Sequence, residues 1–299
     1  MSTPARFGPR DLAVALAINL VWGLNIIAVK MSVNLVPPFT AALLRQAMVL
    51  VVCLPWLRVV PGRMRDLIAL SMVIGGAFFA IVNLSLVVTQ NIGALAIAGQ
   101  LGAPFSLILA VVFLGERIGP IRIAGMALAM SGCGLLVFDP MAAKEISGLL
   151  LTVFASLLWA TGSLLQRRLI GVSIPTMYAW VGLGGTIVLA PLALFFERPV
   201  MTGAVTIPTV AFAWIAFSAL GSTLIGSGGM AWLLQRHPVS TVIPVTLGAP
   251  VVGVLASSLV FGNPLTPVMV LGGVIAMAGV AIVTMRTAGA KEAESVRDN

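Results

Sequence analysis

Leu20–Lys30 reads LVWGLNIIAVK, and Leu157–Arg167 reads LLWATGSLLQR. Each stretch is apolar enough for lipid, yet each carries a tryptophan, polar interior residues and a basic end. A shift of 137 lays Trp22 on Trp159, Lys30 on Arg167, Asn19 on Ser156 and Pro38 on Pro175. Further along, a shift of 146 lays LGAP at Leu101–Pro104 on LGAP at Leu247–Pro250. A shift of 147 lays Gly115 on Gly262, Pro120 on Pro267, Gly125 on Gly272 and Gly132 on Gly279. The drift from 137 to 147 places the extra residues of the second half around Glu197–Pro208. The chain is therefore read as an internal duplication.

Composition fixes the solvent. The 299 residues are 60% hydrophobic and 9% charged, with a mean hydropathy of +1.12. Soluble domains carry roughly 25% charged residues, so the chain is read as polytopic. At about 20 residues per span, ten spans are expected: 11–31, 38–57, 66–88, 93–114, 119–138, 147–168, 175–196, 208–234, 239–261 and 266–285. Prolines and glycines punctuate their ends. Arg6 and Arg10 precede an apolar run that is too long for a secretory h-region, so it is taken as a retained first span.

Five spans per repeat is an odd number, so the second half enters the membrane from the opposite side. The expected fold is an all-α polytopic membrane protein: ten transmembrane helices as two inverted five-helix repeats around a central cavity. Residues 1–10 form an N-terminal cytoplasmic segment. Residues 11–138 and 147–285 form the repeats, joined by an external linker at 139–146. Residues 286–299 form a cytoplasmic tail.

The net charge of +8 raises the question of nucleic acid. Its distribution answers it. With the N-terminus inside, 13 basic residues fall on the inner side and only Lys30, Lys144 and Arg198 on the outer, with Arg45 inside a span. That is the positive-inside pattern, and it places both termini in the cytoplasm. No nucleic-acid partner is expected. Cys53 and Cys133 both lie in apolar stretches and are read as inert core residues.

Polar groups inside a span are costly and tend to face a bundle interior or a water-filled cavity. On span six, Thr152, Ser156, Trp159, Ser163 and Gln166 share one helical face. On span one, Asn19, Trp22 and Asn25 share an arc. These faces are expected to be opposite walls of one cavity. The competing reading is back-bonding by serine and threonine with interfacial tryptophans. Phe78, Phe79 and Asn83 on span three, and Ser222 and Ser227 on span eight, complete the candidate lining.

Spans four and nine each carry an interior proline, Pro104 and Pro250, which displaces the carbonyl four residues earlier. Those carbonyls belong to Gln100 and Thr246, both candidate lining residues. The prolines are candidate hinges, with a static kink as the alternative. The glycines of spans five and ten read as packing or dimer seams. Arg45 lies about 10 Å deep by helix rise. It is expected to be structural, snorkelling outward or bonding helix-end carbonyls, with a substrate-carboxylate anchor as the alternative.

The residues now carry a resemblance. VWGLNIIAVK, LLRQ (Leu43–Gln46), the Pro104 span and FLGERIGPIRIAGMALAMSGCGLLV resemble the first half of an EamA-type drug/metabolite transporter. LLWATGSLLQRR, RHPVSTVIPVTLGAP and FGNPLTPVMVLGGVIAMAGVAIV resemble the second. Within that superfamily the chain is most similar to YddG-like amino acid exporters. The resemblance implies ten helices, both termini inside, a central cavity between the halves and export of amino acids. One departure is Asn263, where related second halves often carry Glu; an effect on loop packing is expected there.

No Asp or Glu lies within the core of a span, and the single histidine, His237, lies between spans eight and nine. Proton-driven carriers use such intramembrane groups, so a facilitator is expected. No GxxxxGK[ST] loop is present, so no ATP is used by this chain. No cofactor and no metal are expected. The expected function is alternating-access export of amino acids, or related neutral or zwitterionic metabolites, across the inner membrane. A broad-specificity exporter and a passive channel are the alternatives. A membrane lipid enzyme lacks the residues for its chemistry. Monomer and homodimer both remain open.

Overall fold

The computed structural model describes residues 8–114, 119–139, 142–234, 236 and 248–297. Glu116, His237, Thr246 and the start of the expected ninth span lie outside them. The described residues form helices without strands. That is what lipid demands, since a helix satisfies its own backbone donors and acceptors.

We number the principal helices α1 Pro9–Leu35, α2 Pro38–Trp56, α3 Met64–Val87, α4 Ile92–Phe113, α5 Pro120–Gly134 and α6 Ile146–Arg168. The second half continues with α7 Ile174–Phe196, α8 Thr209–Met230, α9 Ala249–Phe261 and α10 Pro267–Arg297. Seven of them, α1 to α4 and α6 to α8, are long and apolar enough to cross a membrane. Among the described residues α5 has 15 residues, and the apolar stretches of α9 and α10 run only Ala249–Phe261 and Pro267–Ile282. By helix length, the expectation of ten spans is therefore met for seven.

The burial pattern reverses that of a soluble protein. Leu259, Phe195 and Ile170 are 80% or more exposed, while Arg45, Gln46, Asn83 and Ser71 are buried. Apolar side chains face outward and polar ones inward, as a bilayer solvent requires.

Helix packing follows the duplication. α1 packs on α9 and on α8; α6 packs on α4 and on α3. α2 packs on α7, and α5 on α10. Exchanging the halves leaves these pairings unchanged. The seams are made of glycine. A Cβ on Gly132 would strike the backbone of Ala276, and one on Gly279 the backbone of Ala129. The glycines of α5 and α10 thus close a seam within one chain. Gly182 and Gly185 do the same for α7, against Leu50, Gln46 and Gly75. Small residues permit this close approach, which is how helices associate without a hydrophobic driving force.

Two helices depart from α-geometry at matching places. α3 is a π-helix over Ser71–Phe78, and α8 over Phe217–Ser227. Their starts differ by 146, the offset that superposes the two LGAP sequences. The prolines differ from expectation. Pro104 does not kink a continuous helix; a 3-10 turn at Gly99–Leu101 divides α4, and the proline sits in the first turn after it. Pro250 lies in the first turn of α9. There the missing N–H costs little, because first-turn donors have no intrahelical partner anyway.

Candidate functional site

One cavity of about 680 Å³ lies between α1, α2, α3, α4, α6, α7, α8 and α9. That volume suits a small metabolite. Along α6 it reaches from Thr152 to Gln166, about 21 Å at the rise of an α-helix. At one end it is walled by buried Ser85, Leu86 and Leu95. At the other end it is lined by Gln166 and Ile174, both exposed. The lining is therefore buried toward the 88–91 connection and exposed toward the 169–173 connection.

Polar contacts, most of them buried or part-buried, gather around the buried end. Glu197 accepts bonds from Phe39 N (2.8 Å), Thr40 N (2.7 Å) and Thr40 Oγ1 (2.6 Å), so a second-half carboxylate caps the start of α2. The negative charge sits where helix donors are unsatisfied. Glu145 accepts from Gln90 N and Asn91 N ahead of α4. Asn263 Nδ2 donates to Gln90 O at 2.7 Å, and Thr266 Oγ1 donates to Asp139. Asn263 thus ties two connections together, in line with its expected place in loop packing. Lys30 does not point outward as its place at a span end suggests. It is buried, and Nζ donates to Leu86 O (2.6 Å) and Thr89 O (2.7 Å). Toward the 169–173 connection the cross-half bonds are exposed: Arg63 Nη1 to Arg168 O, and Trp180 Nε1 to Arg58 O.

The structure brings most of the sequence candidates to the cavity wall. Trp22, Asn25, Phe78, Phe79, Gln100, Ser156, Trp159, Gln166, Ser222 and Ser227 all line it. Three candidates do not. Asn19 turns back to Ala15 O at 2.8 Å, Ser163 to Trp159 O at 3.0 Å, and Asn83 donates to Pro38 O at 2.9 Å. For Asn19 and Ser163 the local back-bond wins over the cavity, because a hydroxyl or amide on a helix has a carbonyl four residues away. Asn83 instead joins α3 to the start of α2. Thr246 lies outside the described residues. Of the two candidate hinges, Pro250 touches the cavity and Pro104 does not.

Arg45 does not snorkel. It is buried, Nε donates to Ser218 Oγ at 3.2 Å, and Nη2 reaches Ser218 O at 3.5 Å. Its guanidinium lies over the Phe79 ring, 3.8 Å from the centroid, a cation–π arrangement. It also lines the cavity. Phe79 meets Phe78 edge-on at 4.9 Å, and Phe78 meets Trp159 at 5.3 Å. These form a continuous aromatic wall from α6 to the cation of α2.

Sequence reasoning missed Gln46, Met177, Tyr178 and Thr223 as wall residues. It also missed what positions them. A π-helix shifts the carbonyl ladder away from the α pattern. Gln46 Nε2 donates to Gly75 O at 2.9 Å in the first π segment. Arg45 reaches Ser218, and Trp22 Nε1 donates to Ser222 O at 3.2 Å, in the second. Polar side chains of α1 and α2 thus dock onto both π segments. The trace in the sequence was glycine: Gly75-Gly76, and Gly221 with Gly226.

Comparison with known proteins agrees with this architecture. A protein of Escherichia coli (strain K12), named "Probable amino-acid metabolite efflux pump", is 27% identical over 281 residues, covering 91% of this chain and 94% of that relative. A "Probable terminal-alkyne amino-acid exporter" of Streptantibioticus cattleyicolor is 29% identical over 197 residues, covering 64% of this chain and 63% of that relative. A solved crystal structure shares the fold at 18% identity, with a TM-score of 0.60, over 95% of this chain and 99% of that one. The EamA-like transporter family matches residues 11–138 and 146–285. With both halves matched, the chain belongs to the EamA-like transporter family.

Proposed function

We propose that this protein exports amino acids, or related small neutral or zwitterionic metabolites, across the bacterial inner membrane by alternating access. The observation that carries this reading is the lining of the cavity, buried toward the end where cross-half contacts gather and exposed toward the other, which we read as one closed and one open end. A passive channel needs a path through both ends. The relatives named as amino-acid exporters support the substrate class.

In this reading residues 11–138 and 147–285 are inverted five-helix repeats, and the shorter α5, α9 and α10 complete ten spans. The matched π segments and half-exchanging helix pairs support it. With the termini in the cytoplasm, the open end faces the cytoplasm, where an exporter loads. Rocking one half against the other would part the Glu197–Thr40 and Asn263–Gln90 contacts. The aromatic wall and the polar side chains of α1, α2 and α6 hold the substrate. No carboxylate or histidine is among the described lining residues, which supports transport down the substrate's own gradient.

The test is purified protein in liposomes with a panel of labelled amino acids. Saturable uptake and counterflow are expected. Uptake no faster than in empty liposomes sinks the amino-acid reading, and flux without saturation or counterflow sinks alternating access. An uphill phase driven by an imposed pH or sodium gradient overturns the facilitator assignment.

A further inference from the structure

Helix α2 carries a guanidinium to the middle of the cavity with donors to spare. Arginine presents five N–H groups in a planar fork. Ser218 engages Nε and Nη2, and among the described residues no hydrogen-bond acceptor engages Nη1. No carboxylate among the described residues forms an ion pair with Arg45. A buried cation without a counter-charge is costly. Its position is nevertheless fixed from two sides, by Ser218 and by the Phe79 ring beneath it.

The same cavity holds acceptors in the opposite condition. Gln46 is fully buried and its Nε2 is committed to Gly75 O, which fixes the direction of Oε1. Among the described residues that Oε1 has no donor, and neither has Asn25 Oδ1. Both residues line the cavity, but the two oxygens themselves are closed to solvent. The third feature is the apolar wall of Phe79, Phe78 and Trp159, which runs away from the guanidinium.

We infer that Arg45 anchors the substrate's carboxylate and that the Phe79–Phe78–Trp159 wall takes an apolar side chain. This rests on the cavity being the transport site. It narrows the substrate class to free α-amino acids with an unblocked carboxylate, and it excludes amines, amides and esters as good ligands. Arginine suits the task better than lysine, since a fork can hold Ser218 with one edge and a carboxylate with the other.

The experiment measures binding to the purified full chain by thermal shift and by isothermal titration. The probes are L-leucine and L-phenylalanine, each with its carboxamide. An acid that binds should do so about tenfold to a hundredfold more tightly than its carboxamide, the range for a lost charge-assisted bond. Arg45→Gln should erase that ratio, and Arg45→Lys should restore part of it. Ser218→Ala breaks only the supporting bond and should keep the ratio. Equal binding of acid and carboxamide to the unaltered protein overturns the proposal, as does a ratio that survives in Arg45→Gln. If Arg45→Gln does not fold, the acid-to-carboxamide ratio of the unaltered protein decides alone. Amino-acid uptake in liposomes with no acid preference breaks the anchor and spares the transport reading. Neither binding nor uptake of any amino acid ends both.

Discussion

Trp22 and Trp159 occupy equivalent places in the two halves, yet they are held in different ways. Trp22 is part of the frame. Its indole N–H is bonded to Ser222 O in the second π segment, and its ring fills the space above Gly226. Trp159 is part of the lining. It is 47% exposed, it rests on Phe78, and a Cβ on Gly102 would stand 3.2 Å from its Cδ1, tight but without the overlap that Gly226 shows with Trp22. A duplicated sequence thus supplies one fixed wall and one wall free to adjust. The physical cause is local. The π segment of α8 turns a carbonyl toward α1, whereas no protein acceptor among the described residues engages the Trp159 N–H.

This contrast can be broken most forcefully at Trp22. Trp22→Ala removes a ring and its bond to the Ser222 carbonyl, so a loss of about 2 kcal/mol is expected, below the range for a fully buried tryptophan. Thermal unfolding in detergent would show it, and a midpoint equal to that of the unaltered protein refutes the frame role. Next comes Gly226→Ala. Its Cβ would collide with the Trp22 indole, and overpacking of this kind costs about 1–3 kcal/mol. Gly102→Ala is the matched control, expected to shift the midpoint by less than half as much because the half-exposed Trp159 can give by the few tenths of an ångström required.

Trp159→Ala should separate the two roles. Stability should fall by under about 1 kcal/mol, given its exposure, while uptake of the best amino acid drops at least about tenfold, the scale of a lost aromatic contact in a binding pocket. Unchanged transport kinetics would remove Trp159 from the wall. The smallest effect is expected at Ser163→Ala, whose hydroxyl bonds only the Trp159 carbonyl of its own helix. Uptake and unfolding should both match the unaltered protein. A clear transport defect would show that the hydroxyl reaches the cavity in another conformation.

Much of the fold was legible because lipid leaves few options. Twenty-residue apolar stretches between prolines and glycines have to be helices, and the boundaries read from them fall within a few residues of α1, α2, α3, α6 and α7. The candidate lining on α6 and α1 was legible for the same reason, since Trp159 and Gln166, or Trp22 and Asn25, stand out from apolar neighbours. Asn19 and Ser163 show the limit. Their spacing placed them on the right face, but a side chain that can bond its own helix need not turn to a cavity. Arg45 shows it differently. Depth along the helix put a snorkel within reach, and only the contact with Phe79 and Ser218 holds the guanidinium inward.

By itself the sequence determined that this chain is a membrane protein, built twice over, with helices whose polar residues are too few and too ordered in spacing to be accidental. Hydropathy and period carry that information because each depends on residues close together in the chain. Only the tertiary structure decided which polar groups face one another, that two π segments hold Trp22, Arg45 and Gln46, and that the cavity lining is buried at one end and exposed at the other. Those outcomes depend on pairs such as Thr40 with Glu197 and Arg45 with Ser218. Such partners are far apart in sequence, and no local pattern encodes their meeting.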